Sequence, residues 1–158
     1  MEQNIHILIV DDNQENLRVV SNYLKDNGYK LALAQDGINA LEIVKNNKID
    51  LILLDIMMPD MDGFEVCEKL KENPDTKNIP VIFLTAKTDT EDIVKGFHMG
   101  GVDYITKPFK KEELYARVNN HVELKLMRDY LRQLAKENKG SRNAMMNMLL
   151  DFGKLIDP

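Results

Sequence analysis

The chain has 158 residues, 44% hydrophobic and 30% charged, which suits one globular domain able to bury a core, with room for an appendage. No apolar run approaches the roughly 20 residues needed to cross a bilayer, and the opening Met1-Glu2-Gln3-Asn4 is acidic and polar rather than a secretory leader, so a cytoplasmic chain without membrane insertion is expected. Of the net charge of −5, residues 121–158 hold seven Lys/Arg against five Asp/Glu, which leaves −7 on residues 1–120 and argues against nucleic acid as a direct partner.

Strand and helix patterns then alternate along the chain. His6–Val10 is a β-branched, apolar run ending in Asp11-Asp12. A helix is expected over Asn13–Lys25, with Leu17, Val20 and Leu24 at helical spacing and Asn27-Gly28 as its stop. Lys30–Ala34 reads as a short strand, and Asp36-Gly37 opens a helix with Ala40, Leu41 and Val44 on one face. Leu51-Ile52-Leu53-Leu54-Asp55 shows no alternation, the mark of a strand buried on both faces of a parallel sheet. Alone, Asp55 reads as a polar strand terminator. Asp60-Met61-Asp62-Gly63 turns into a helix over Phe64–Lys71, closed by Asn73-Pro74; the lone Cys67 on it cannot form an intrachain disulfide and fits a reducing cytosol. Val81–Leu84 is another buried strand, ending in Thr85. Asp89 or Thr90 caps a helix through Met99, stopped by Gly100-Gly101. Val102–Thr106 is a fifth strand, followed by Lys107-Pro108, and a last helix starts near Lys110-Lys111-Glu112-Glu113.

Five strands each followed by a helix imply an α/β fold, a doubly wound parallel sheet with right-handed crossovers. Ligands of such sheets bind beyond the carboxyl ends of the strands. Asp11, Asp12, Asp55, Thr85 and Lys107 all stand at strand ends and so share one rim. Two like charges about 4 Å apart repel by about 4 kcal/mol at an effective dielectric near 20, so three clustered carboxylates ask for a cation. All-oxygen ligands suit Mg²⁺, which is commonly shared with a phosphate. Lys107 is a point charge fit for one phosphate oxygen, the Thr85 hydroxyl can donate to another, and an aspartate can become an acyl phosphate.

With these residues in place, the chain from about His6 to about Asn120 resembles a response-regulator receiver domain of bacterial two-component signalling, the CheY-like family. The resemblance implies a five-stranded, flavodoxin-like sheet of order 2-1-3-4-5. It implies Asp55 as phosphoacceptor and Asp11-Asp12 as the acidic pair that positions Mg²⁺ (Mn²⁺ as substitute), with Asp12 a direct ligand, Asp11 acting through water and the Met57 carbonyl as a third protein ligand. Met58-Pro59-Asp60-Met61-Asp62-Gly63 is similar to the family's loop after the acceptor. Thr85-Ala86 resembles the switch hydroxyl and its small neighbour, Lys107-Pro108-Phe109 the lysine with its cis proline, and Tyr104 the switch aromatic. Met57 and Lys87 fall where the family tunes phosphoryl lifetime. The implied partner is a histidine kinase or phosphotransfer protein.

Other readings stand beside these. Tyr104 alternates with apolar strand neighbours and, without the resemblance, is half-buried packing. His6 reads as an ordinary strand residue, and His98 as a residue suited to a helix end. The string His121-Val122-Glu123-Leu124-Lys125-Leu126 is faintly like a kinase's histidine box, but the following proline is missing, so His121 reads as an ordinary helix residue. A phosphohydrolase with an aspartate nucleophile usually carries a second acid two residues on, where this chain has Met57; self-catalysed phosphoryl acceptance and slow dephosphorylation are expected rather than enzyme turnover. A receiver-like dimerisation module without phosphorylation is a third reading.

Residues 1–121 are thus expected to form the receiver and 122–158 an amphipathic helical extension. Leu124, Met127, Leu131, Leu134, then Met145, Met148, Phe152 and Leu155 alternate by three and four, with Asn138 and Ser141 in the same register. With Leu124 at position a, Glu123 falls at g and Arg128 at e, a workable pair in a parallel dimer, and a buried Asn138 would set register. A continuous helix from Leu124 to Leu155 is expected, pairing two protomers as a coiled coil, with the face of the fourth helix, fifth strand and fifth helix as a further or alternative interface. The other reading is a helix that ends near Asn138-Lys139-Gly140, followed by a second amphipathic helix folded back or disordered. The roughly 38 residues after the receiver cannot hold a winged-helix or cyclase output domain, so the chain is expected either to act through protein contacts or to be the front of a longer protein.

Overall fold

The computed structural model describes residues 4–86, 90–138 and 142–156. Five strands and six α-helices follow in order: β1 His6–Val10, α1 Gln14–Leu24, β2 Lys30–Ala34, α2 Gly37–Asn46, β3 Leu51–Asp55, α3 Gly63–Glu72, β4 Val81–Thr85, α4 Thr90–His98, β5 Asp103–Thr106, α5 Lys111–Glu137 and α6 Arg142–Ile156. Lys87 and Asp89 lie outside the described residues.

The sheet is parallel throughout, in the order β2-β1-β3-β4-β5. Every residue of β3 and β4 is buried, whereas the edge strands β2 and β5 are only partly covered. That gradient is why the central strands are unbroken apolar runs and the edges are not. Leu8, Val10, Ile52, Leu54, Val81 and Phe83 turn to one face and pack with Ala40 and Val44 of α2 and Phe64, Val66 and Leu70 of α3. The alternate residues Ile7, Ile9, Leu51, Leu53, Ile82 and Leu84 are buried on the other face.

Capping side chains start the first three helices. Asn13 Oδ1 accepts from the N–H groups of Glu15 and Asn16, Asp36 Oδ1 from Asn39, and Asp62 Oδ1 from Glu65. Each such cap is worth about 1 kcal/mol. Gly28 ends the α1 region at φ +78°, a conformation costly for a residue with a Cβ.

By internal contacts the chain forms two units, Met1–Val122 and Glu123–Pro158. The continuous helix expected from Leu124 to Leu155 is not present. α5 ends at Glu137, Asn138 lies outside the helix although its N–H still donates to the Leu134 carbonyl at 3.1 Å, and α6 begins at Arg142. Asn, Gly and Ser in the string Asn138-Lys139-Gly140-Ser141 together disfavour a helix by about 2 kcal/mol relative to alanine. Polar Asn138 and Ser141 at seam positions would return little of that, and the expected heptad register is already interrupted at Asn138, outside α5. Leu124, Met127, Leu131 and Leu134 fall on α5, and the positions of Met145, Met148, Phe152 and Leu155 on α6; Lys139, Gly140 and Ser141 lie outside the described residues.

Candidate functional site

The carboxyl ends of β1, β3 and β5 deliver their polar residues to one point. Asp11 follows β1 and is fully buried. Its Oδ1 accepts from the Asn13 N–H at 2.9 Å, and its Oδ2 from the Asn16 side-chain amide at 3.2 Å. Asp55, the last residue of β3, is 3% exposed. Lys107 reaches both: its Nζ lies 3.0 Å from Asp11 Oδ2 and 3.1 Å from Asp55 Oδ1. The Lys107 N–H donates to the Thr85 carbonyl at 2.7 Å, and the Lys107–Pro108 bond is cis. Asp12 is exposed, and one carboxylate oxygen from each of Asp11, Asp12 and Asp55 lies within 4.8 Å of the others.

This geometry sets the electrostatics. Burial is the largest influence on Asp55 and pushes its pKa up, the Asp11 charge adds to the rise, Lys107 opposes it, and the balance is a pKa of about 6. For Lys107 burial favours the neutral amine, but the bonds and charges of Asp11 and Asp55 outweigh it and raise its pKa. Three carboxylates and one ammonium leave a formal −2, which one divalent cation matches. An all-oxygen donor set of this kind fits a hard ion such as Mg²⁺.

The loop after β3 is held against the acceptor strand. The Ile56 N–H donates to the Leu84 carbonyl at 3.1 Å, and the Gly63 N–H to the Ile56 carbonyl at 2.9 Å. A Cβ on Gly63 would sit 2.3 Å from the Asp55 carbonyl oxygen, so only glycine fits there. Asp60, within this loop, has a φ of +68°. Met57 is 72% exposed.

Thr85 closes β4 and is buried, followed by an exposed Ala86. Tyr104 pairs in register with Phe83, is half-buried, and meets Phe97 edge-on at 6.2 Å between ring centroids. Of the residues singled out in the sequence, Asp11, Asp12, Asp55 and Lys107 meet directly. Thr85 stands at the end of the strand beside Asp55, and Leu124 through Leu155 belong to the second unit.

A second charged cluster went unread in the sequence. Arg117 Nη1 lies 2.8 Å from Asp103 Oδ1, Arg117 Nε 3.3 Å from Glu113 Oε1, and His121 Nε2 3.1 Å from Asp103 Oδ2. The signal for it is the i, i+4 ladder Glu113, Arg117, His121 on one helix face, following a strand that begins with Asp103.

Among the described residues no helix is long and apolar enough to cross a membrane. The profile of the response regulator receiver domain matches residues 7–119. Over 136 residues the chain is 43% identical to the response regulator PleD of Caulobacter vibrioides, covering 86% of this chain and 30% of that protein. Over 114 residues it is 42% identical to the response regulator MprA of a Mycobacterium species, covering 72% of this chain and 49% of that protein. The chain thus spans less than half the length of either relative. Among solved structures it is similar to the chemotaxis response regulator CheY4 of Vibrio cholerae, with a TM-score of 0.72, 31% identity, and 75% of this chain and 99% of that chain covered. It is likewise similar to the receiver domain of Francisella response regulator 1452, with a TM-score of 0.70, 35% identity, and 76% and 98% covered. The strand order, the acidic rim with its lysine and the profile match over most of the chain agree: the chain belongs to the response regulator receiver domain family.

Proposed function

We propose that the chain is a phosphorylation-controlled signalling switch in which Asp55 accepts a phosphoryl group from the histidine of a kinase or phosphotransfer protein. The observation that carries this reading is Lys107 Nζ set between two buried carboxylates, Asp11 and Asp55, with Asp12 beside them. With a pKa of about 6, Asp55 is ionised at neutral pH and is a usable nucleophile. A carboxylate oxygen of Asp55 attacks phosphorus, the phosphorus–nitrogen bond of the donor breaks with its electron pair returning to the imidazole, and an acyl phosphate forms. Lys107 then meets a phosphoryl oxygen, the Thr85 hydroxyl donates to another, and the small side chain of Ala86 leaves room for them.

Asp11, Asp12, Asp55 and the Met57 carbonyl are the groups that would hold Mg²⁺ or Mn²⁺. When bound, the ion neutralises charge shared by the acceptor and the phosphoryl oxygens. Thr85 and Tyr104 answer the new charge, and the change is read on the face made by α4, β5 and α5 and along the C-terminal helix. Residues 1–121 are the receiver in this reading and 122–158 its helical extension. Homodimers form through that face, through the α5 stripe Leu124, Met127, Leu131 and Leu134, or through both.

The test is incubation with acetyl phosphate and Mg²⁺, followed by intact-mass measurement. One added phosphoryl group, absent in D55N and without the metal, is the expected result. No gain from acetyl phosphate or from a phosphorylated histidine donor would overturn the reading.

A further inference from the structure

Arg117 is a long cation on α5 whose guanidinium is fastened at two points, to Asp103 at 2.8 Å and to Glu113 at 3.3 Å. Asp103 is itself held from other sides. Its Oδ1 also accepts from the Tyr104 N–H at 2.8 Å, and its Oδ2 meets His121 Nε2 at 3.1 Å. The Nδ1 of that histidine is buried without a partner among the described residues, so the ring is engaged through its Nε2 edge. Anchored this way, the Arg117 guanidinium carbon sits 5.7 Å from the centroid of the Tyr104 ring, within cation–π range.

On its other sides the half-buried ring packs against the core. Phe97 touches it only edge-on. Toward Thr85 lies a cavity of about 10 Å³, bordered by Ile56, Ile93, Phe97 and Tyr104 itself. That is room for at most one water, far too little for a phenol. Tyr104 therefore lines the space beside Thr85 without filling it, and for the ring to move that way the cavity must widen and the ring must leave the guanidinium.

We propose that Arg117, anchored by Asp103 and Glu113, is a positioning residue that holds the Tyr104 ring where it stands and thereby sets how readily the Asp55 site takes up a phosphoryl group. The proposal rests on the acceptor reading above. Releasing the ring costs the unmodified chain its cation–π contact, so weakening the clamp favours the phosphorylated arrangement. An exposed contact of this kind corresponds to about a two- to fivefold change in an equilibrium.

The experiment uses the full chain, with beryllofluoride and saturating Mg²⁺ as the probe and tyrosine ring resonances as the readout; thermal melts establish that each variant is folded. R117M is expected to bind beryllofluoride about two- to fivefold more tightly than the wild type. R117K keeps the charge but loses the fork and should fall between them. In a Y104A background R117M should bring no further gain. Unchanged or weaker binding by both Arg117 variants, or the same gain without the Tyr104 ring, would overturn the proposal. A wild-type chain that bound no beryllofluoride would count against the acceptor reading alone. The clamp is then judged by the Tyr104 ring resonances, and their staying put in R117M and D103N would end it.

Discussion

Lys107 stands 3.1 Å from Asp55 and donates a hydrogen bond to it, yet burial pushes the Asp55 carboxyl group above its ordinary pKa. Burial and the neighbouring Asp11 outweigh the lysine. The rim is thus under-neutralised, and its stability should respond to any change in its charge.

Replacing the acceptor should relieve that repulsion. D55N is expected to melt at a higher temperature than the wild type when no metal is added, by the equivalent of about 1–2 kcal/mol after allowance for screening. A lower melting temperature for D55N in chelator would contradict the electrostatic account of the rim.

Added Mg²⁺ should raise the wild-type melting temperature in proportion to the logarithm of its concentration, as binding to the folded state alone requires. The rise should disappear in D12A and D55N, and chelation should reverse it. An equal rise in wild type and D12A would place the ion elsewhere.

Asp103 predicts a pH dependence of its own. Burial acts to raise its pKa, but hydrogen bonds from His121, the Tyr104 N–H and Arg117 outweigh it and hold the carboxyl group below the ordinary 3.8. The unfolded chain therefore binds this proton more readily, so the stabilisation is present above pH 3.8 and is lost as pH falls through the lower folded value. In urea titrations D103N should be less stable than the wild type at neutral pH by about 1–3 kcal/mol. The gap should close as the pH is lowered below 3.8 and through the lower folded value. A gap that stayed constant would show that the carboxylate charge is not what matters.

Gly63 has no space for a methyl group, because its Cβ would meet the Asp55 carbonyl oxygen at 2.3 Å. G63A should cost about 1–3 kcal/mol or more, read as a fall in the urea midpoint, and should weaken Mg²⁺ binding by displacing the acceptor backbone. A stable G63A with normal metal affinity would mean that the loop relaxes freely.

With α5 ending at Glu137, its apolar stripe spans only about two heptads, too short for a strong coiled coil on its own. Light scattering on the unmodified chain should give a mass that climbs with loading concentration, and L131K should hold it at the monomer. A fixed dimer at every concentration would require a larger interface.

The central strands were legible because burial on both faces removes the ambiguity of alternation, as in Leu51–Asp55 and Val81–Thr85. Helix starts were legible wherever a short polar side chain caps them, as Asp36 and Asp62 do. The meeting of Asp11, Asp12, Asp55 and Lys107 followed from topology, since parallel strands bring all their carboxyl ends to one rim. The Asp103–Arg117–His121 cluster was hidden because its partners come from a strand and a helix whose rotation about its axis no local pattern fixes. The end of α5 was misread because periodicity continued through Asn138 and Ser141 while helix propensity failed.

The strand order also bears on how the chain folds as it is synthesised. β1 lies inside the sheet, between β2 and β3, and each later strand is added outward, β4 beside β3 and β5 beside β4. Once β3 has left the ribosome, β1 has both of its neighbours, and growth from there proceeds toward the carboxyl terminus without disturbing any pairing already made. The acidic pair and the acceptor aspartate can therefore come together in the nascent chain before Lys107 exists, and β5, which delivers the lysine, is the last strand to join.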